Sequence, residues 1–204
     1  LWEEAATAGL PRFDPPEILE ADLSPLLLAS SIWGVADPRR LRWLDPPPDA
    51  AIAEARARLA ELGAIDADGR PTDHGRQMAE LPLPPRLAHM LIAAERFGTV
   101  ALASETAVLL QERGLGGSDV DLELRLSRWR SDRSKRAEAA RGLARRWAGL
   151  VRAGPKASAS AELGRCVALA YPDRVSRRRS ADGAEWISAG GRGFRLDPAA
   201  SLAR

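Results

Sequence analysis

The sequence is poor in the residues that make self-contained active sites. It holds one cysteine, Cys166, and two histidines, His74 and His89, in 204 residues. A single thiol closes no internal disulfide, which fits a reducing, cytoplasmic setting. Within the apolar run GRCVALAY, Cys166 reads as a small buried hydrophobe rather than a nucleophile. The two histidines lie in no metal-ligand pattern, and one cysteine cannot complete one. His89 falls opposite the Leu87/Leu91 stripe and reads as a surface residue. No G-x-x-x-x-G-K-[ST] loop occurs, so the chain has no phosphate-cradling ATPase loop of its own. Serine, histidine and aspartate are present without nucleophile-elbow spacing. No catalytic, metal or cofactor-binding residue is therefore assigned, and no small-molecule substrate is expected. No stretch approaches the roughly 20 apolar residues of a membrane span, and the start has no signal-peptide pattern. Leu1 in place of methionine predicts a piece of a longer chain.

What is present is charge, unevenly placed. Apolar content of 45% and charged content of 28% are ordinary for a folded protein of one or two domains. The net charge of +2 hides three regimes. Residues 1–112 carry 10 basic and 18 acidic side chains, a balance of −8. Residues 113–156 carry 12 and 5, a balance of +7, and residues 157–204 carry 8 and 5, a balance of +3. An acidic half followed by an arginine-rich segment predicts two functional surfaces, the second suited to phosphate. A solvated helix face is the competing reading.

Proline and glycine punctuate a mostly helical pattern. Pro15–Pro16 introduces a short turn in DPPEILEADL. Ser24–Pro25 opens a helix that stops at Gly34. Asp37 and Pro38 start a second short helix in ADPRRLRWL. Asp45–Pro48 is a rigid extended lead-in to a third, whose face is Ile52, Ala55, Leu59 and Leu62, closed by Gly63. AIDADGRPT reads as a small hairpin turning at Asp68–Gly69. Three helices and a hairpin is the order of a winged-helix module. Thr72 caps the next helix, which LPLPP interrupts near Leu81–Pro85. Leu87, Met90, Leu91 and Ala94 form a stripe up to Phe97, ended by Gly98. Further helices are expected over 100–112, around Leu122, Leu126 and Trp129, over 139–152, and over 161–171. A flexible glycine loop spans 113–119, and AGPKASAS, 153–160, is a break. AEWISAGGRGFRL predicts a β-hairpin around Gly190–Gly191, too small to be stable alone.

The basic segment is patterned. At roughly 100° per residue, Leu143, Trp147, Leu150 and Val151 share one side of the 139–152 helix, and Arg141, Arg145 and Arg152 lie opposite. Arg125, Arg128, Arg133, Lys135 and Arg136 surround them, and RVSRRRS adds Arg177 and Arg178. Arginine forks suit phosphate, and phosphate contacts hold a strand without reading its bases. The nine arginines named here are the candidate nucleic-acid-binding residues. Intrahelical i,i+4 pairs, Asp121 with Arg125 and Asp132 with Arg136, are the bland alternative.

The joint pattern PEILEADL, WLDPPP, LGAIDADG, T-x-x-G-R-x-M-A (Thr72, Gly75, Arg76, Met78, Ala79) and PLPPRLAHML resembles DEAH-box helicases just after their second RecA-like motor domain. ERFGTV, ALAYPDRVSRRR and GRGFRLDP resemble the bacterial HrpB-type branch. Glu20 departs from the pattern, standing where the family usually has arginine. The resemblance implies a mainly α chain: a linker from the motor at 1–14, a winged helix at 15–82 and a helicase-associated (ratchet) helical domain at 83–160. At 161–204 it implies a helix plus β-hairpin beginning a truncated oligonucleotide-binding-like (OB-like) domain. It also implies an accessory region that packs on its own RecA-like motor domains and helps hold single-stranded RNA or DNA during unwinding. ATP and Mg2+ belong to the absent motor, so this stretch alone is expected to be inactive. Two other function classes compete. One is a stand-alone winged-helix regulator, although residues 49–62 carry a net −1, poor for a major groove. The other is a protein-interaction scaffold without salt-dependent strand binding.

Overall fold

The structure, a computed structural model, describes residues 13–151, 162–197 and 202. It is mainly α-helical with one small antiparallel sheet. The chain divides into two compact units between Ala79 and Glu80.

The first unit follows the predicted order, with one contraction. A 3-10 turn, Glu17–Leu19, precedes α1 (Ser24–Ile32), in which Ser24 N–H and Oγ–H both donate to Asp22 Oδ1. Gly34, at φ +90°, lets the chain leave the helix. The second expected helix shrinks to one 3-10 turn, Pro38–Arg40, capped by the Asp37 carboxylate. Hydrogen bonding from the Arg39 side chain holds that carboxyl below its usual value. The helix cannot continue because Leu41 is already extended, and Trp43 Nε1–H donates instead to the Pro38 carbonyl at 2.8 Å. Pro48 is extended (ψ 137°) and its carbonyl receives Ile52 N–H, so the proline run sets the first turn of α2 (Asp49–Glu61). α2 buries Ile52, Ala55 and Leu59, as its periodicity predicts.

The expected hairpin is reduced to a single antiparallel bridge, Ile65 with Pro71. The T-x-x-G motif that follows has a direct physical reading. Thr72 Oγ1 accepts Gly75 N–H at 3.0 Å and donates to the Gly63 carbonyl at 2.7 Å, tying α3 (Asp73–Ala79) to the bridge. Gly75 lies so near that bridge that a Cβ would stand 2.0 Å from the Ala64 carbonyl oxygen. Met78, one turn on, is fully buried.

In the second unit, α4 (Pro85–Ala93) tightens into a 3-10 turn, Ala94–Phe97, before Gly98. α5 (Val100–Gln111) is the hub and packs against α4, α7 (Lys135–Ala148) and α8 (Glu162–Ala170), and against α6 (Leu122–Ser131). Its buried Ser104 and Thr106 hydroxyls donate to carbonyls one turn back, so they cost little inside the core. The helix over 161–171 does not open the β segment, as the sequence predicts. Instead α8 packs on α4 and α5, and its Cys166 is buried as predicted. After a 3-10 turn, Pro172–Arg174, three strands follow: β1 (Ser176–Arg178), β2 (Glu185–Ser188) and β3 (Gly193–Arg195), in the order β1-β2-β3. The hairpin is as expected. β1 is an addition, because SRR has no apolar alternation to announce a strand.

Arg86 joins helices to sheet. Nη1 donates to the Ala170 carbonyl at 3.1 Å, and the fork meets both Asp173 oxygens at 2.7 and 3.2 Å. The guanidinium also lies 5.1 Å from the Tyr171 ring centre. Asp173 in turn accepts Gly190 N–H on its main-chain carbonyl. Partial burial works to raise the Asp173 carboxyl, but the hydrogen bond and charge of Arg86 outweigh it and hold the group below its ordinary value.

Two expectations follow. Gly75→Ala forces apart α3 and the Ile65–Pro71 bridge and lowers stability by roughly 2–3 kcal/mol, measurable by urea denaturation. Because the Asp173 value is depressed, its contribution is complete above the unfolded carboxyl value near 3.9 and is lost as pH falls through the lower folded one. Thermal stability should therefore be flat from about pH 7 to 5 and fall below about pH 4. Asp173→Asn should blunt that fall and cost roughly 1–2 kcal/mol at neutral pH.

Candidate nucleic-acid interface

The arginines of the second unit sort into two groups by what their forks touch. Arg125, on α6, is half-buried. Its Nε donates to the Leu115 carbonyl at 3.2 Å and its Nη2 to the Leu109 carbonyl at 3.0 Å. It therefore satisfies the open C-terminal carbonyls of α5 and clamps the glycine loop. Leu115 is buried, and a Cβ on Gly116 would stand 2.1 Å from the Arg125 carbonyl oxygen. The loop expected to be flexible is thus held against α6.

Arg141 does the same for α6. Nη1 donates to the Trp129 carbonyl at 3.0 Å and the Asp132 carbonyl at 2.8 Å. The reason corrects the helical wheel drawn from sequence. The buried seam of α7 is Ala137, Ala140, Ala144 and Trp147, not Leu143, Trp147, Leu150 and Val151. Leu143 is half-buried and Leu150 is 57% exposed. Weighting large side chains over alanine rotated the predicted face. Arg141 follows Ala140 and borders the seam rather than opposing it. Both Arg125 and Arg141 have donors committed to the protein's own carbonyls, which removes them from the phosphate-facing set.

The expected i,i+4 pairs are replaced by caps. Asp121 is the N-cap of α6 and accepts the N–H groups of Glu123 and Leu124. Asp132 ends α6 while Arg136 stands on α7, so a helix break separates them. Backbone and hydroxyl hydrogen bonds from Ser134 hold the Asp132 carboxyl below its ordinary value. Arg136 is exposed and donates to the Arg113 carbonyl at 2.5 Å. Arg128 is exposed, with Asp119 at 3.5 Å. Arg130 is paired with Glu105.

The remaining candidates point outward. Arg133 and Arg145 are exposed, as are Arg177 and Arg178 on β1, with no carboxylate in ion-pair range among the described residues. Arg146 and Arg179 share that environment and escaped the sequence reading. The doublets Arg145–Arg146 and Arg178–Arg179 were the available signal. Arg152 lies outside the described residues, as does the 153–160 break. His89 is half-buried rather than a surface residue.

The first unit offers a contrast. On α2, where a winged helix would read a groove, Arg58 meets Asp22 and Glu54 at 2.6 and 2.5 Å, and Arg56 donates to the Ala36 carbonyl at 2.9 Å. Both forks are used internally.

No family model matches the chain. The ATP-dependent RNA helicase HrpB of Escherichia coli (strain K12) is 36% identical over 189 residues, which are 93% of this chain and 22% of that protein. The probable ATP-dependent RNA helicase DHR2 of Saccharomyces cerevisiae is 37% identical over 101 residues, 50% of this chain and 14% of its own length. The crystal structure of the Escherichia coli DEAH/RHA helicase HrpB superposes with a TM-score of 0.78 at 32% identity, over 99% of this chain and 24% of that one. The chain thus spans under a quarter of the relatives it matches. It is a C-terminal region of the DEAH-box helicase family. Within that family it is of the HrpB type, in sequence and in fold alike.

Arg141→Ala should therefore act on the fold. It leaves two carbonyls without a charged donor and should lower stability by about 1 kcal/mol, whereas Arg145→Ala should change it by less than about 0.5 kcal/mol. Parallel thermal melts of the two variants check this.

Proposed function

We propose that this accessory region helps hold single-stranded nucleic acid while an attached RecA-like motor unwinds it. The observation that carries the reading is the set of outward arginines, Arg133, Arg145 and Arg146, with Arg177 to Arg179 on and beside β1, none facing a carboxylate among the described residues. An arginine that is neither buried nor paired keeps its donors for a ligand. Its contact with phosphate is indifferent to base, as translocation over any sequence requires. The relatives' names, ATP-dependent RNA helicase, favour RNA as the strand. ATP and Mg2+ would be held by the motor, because these 204 residues contain no phosphate-cradling loop, and the stretch alone should be inactive. One unpaired thiol suits a cytoplasmic setting.

A stand-alone regulator reading duplex DNA through α2 is disfavoured by the internal commitment of Arg56 and Arg58. A pure protein scaffold is the other reading, and salt separates it.

The test is fluorescence anisotropy of the chain on mixed-sequence single strands at several salt concentrations. Arg133→Ala with Arg145→Ala and Arg146→Ala should weaken binding similarly for every sequence. It should also make the log–log salt slope shallower by about 0.7 for each phosphate no longer neutralised. Unchanged affinity and slope would overturn the assignment to this face.

A further inference from the structure

The β-segment carries a feature that the outward arginines do not explain. Strand register pairs Arg178 with Trp186, and Trp186 with Phe194. Directly opposed residues in an antiparallel sheet project from the same face. Arg178, Trp186 and Phe194 therefore form one row across all three strands, with neighbours about 4.8 Å apart along the row. Phe194 is 43% exposed and Trp186 half-buried. The indole is fixed, because Nε1–H donates to the Gly183 carbonyl at 2.7 Å. The opposite face has no such row: Arg177 is paired with Ile187, and Ile187 with Gly193.

Charge selects the occupant. Residues 176–195 hold five arginines, Arg177, Arg178, Arg179, Arg192 and Arg195, against Asp182 and Glu185, an excess of three positive charges. Glu185 is opposed by Arg195 in the register, and Asp182 accepts from Ser180 and from Ala184 N–H. An apolar protein partner would have to bury the arginines beside the aromatic pair, at high cost. A single-stranded nucleic acid offers what both groups want: flat bases for the rings and phosphates for the guanidinium groups.

We propose that the Arg178–Trp186–Phe194 row is a stacking platform for unpaired bases of a single strand, with Arg178 at its edge on the backbone. This rests on the strand-holding reading above and adds to it a site whose binding does not depend on salt in the same way. Stacking releases no counterions, so ring and arginine substitutions should separate in their salt dependence.

The test uses the 204-residue chain with labelled oligo(U) and oligo(dT) over a salt series, alongside thermal melts. Phe194→Leu and Trp186→Leu, which keep apolar bulk but lose the π-face, should each weaken binding about tenfold with an unchanged salt slope. Phe194→Tyr and Trp186→Phe should bind like the parent, and Arg178→Ala should flatten the slope. If the leucine variants bind like the parent, or melt at lower temperature without weaker binding, the platform is refuted and the face is a packing surface. The outward-arginine reading then still stands if the Arg133/Arg145/Arg146 variant weakens binding. If the parent binds no single strand at low salt, both readings fall together. Equal weakening with tyrosine and leucine at 194 would also refute stacking.

Discussion

The second unit depends on the fork of Arg86. One guanidinium reaches the C-terminal end of α8 through Ala170, the Asp173 carboxylate in the following turn, and the face of Tyr171. The next link is backbone, Gly190 N–H to the Asp173 carbonyl, and that carbonyl lies 3.1 Å from where a Gly190 Cβ would stand. A three-stranded sheet with short strands has little core of its own and needs an anchor. Here the anchor is a bidentate ion pair whose arginine is 12% exposed and whose aspartate is 35% exposed. Removing one partner of such a pair leaves the other partly desolvated and unsatisfied, so the pair is more costly to break than a surface pair. The side chains of the sheet have a fixed direction only because this junction holds.

The same chemistry explains why an arginine-rich segment is not uniformly a binding surface. A guanidinium presents five donors and cannot be deprotonated. Helix C-termini present carbonyls with no helical partner. Where helices stack end to side, as α5, α6 and α7 do, arginine is a natural capping group, and Arg125 and Arg141 serve in that role. Only the forks left after the carbonyls are satisfied are available for phosphate. The local excess of positive charge and the internal hydrogen-bond accounting are therefore two demands on the same residues.

Much of the fold was legible because its signals are local. Proline at 25, 38 and 85, glycine at 34, 63 and 98, and the Thr72 cap each mark an element boundary through backbone restrictions that need no tertiary context. The Ile52/Ala55/Leu59 face of α2 was equally plain. What escaped is tertiary. The seam of α7 is made of alanines, whose small side chains allow close approach to α5 but carry little weight in a hydrophobic wheel. β1 is a polar strand at a sheet edge, formed by pairing with β2 rather than by its own propensity. Arg86 and Asp173 are 87 residues apart, and no spacing rule joins them. For the candidate site, composition located the region, while the division between capping and outward arginines required coordinates.

The winged-helix order in the first unit raises the question of why α2 is not a reading head. A recognition helix needs side chains free to leave its surface and donors aimed outward. α2 has two arginines, and both are drawn back: Arg58 into a cluster with Asp22, Glu54 and the Ser24 hydroxyl, Arg56 onto the carbonyl before Asp37. The Arg58 cluster ties α2 to the N-terminal cap of α1, and Arg56 ties it to the chain entering the Pro38 turn. Pulling either arginine out to a phosphate would forfeit charge-assisted bonds at the junction that orients the helix. The extended Pro48 makes the same point from the other end of α2, since it fixes the angle of entry. These features describe a helix whose position is its function. A module built to hold geometry, in a chain whose outward arginines lie elsewhere, is what an accessory region of a helicase requires.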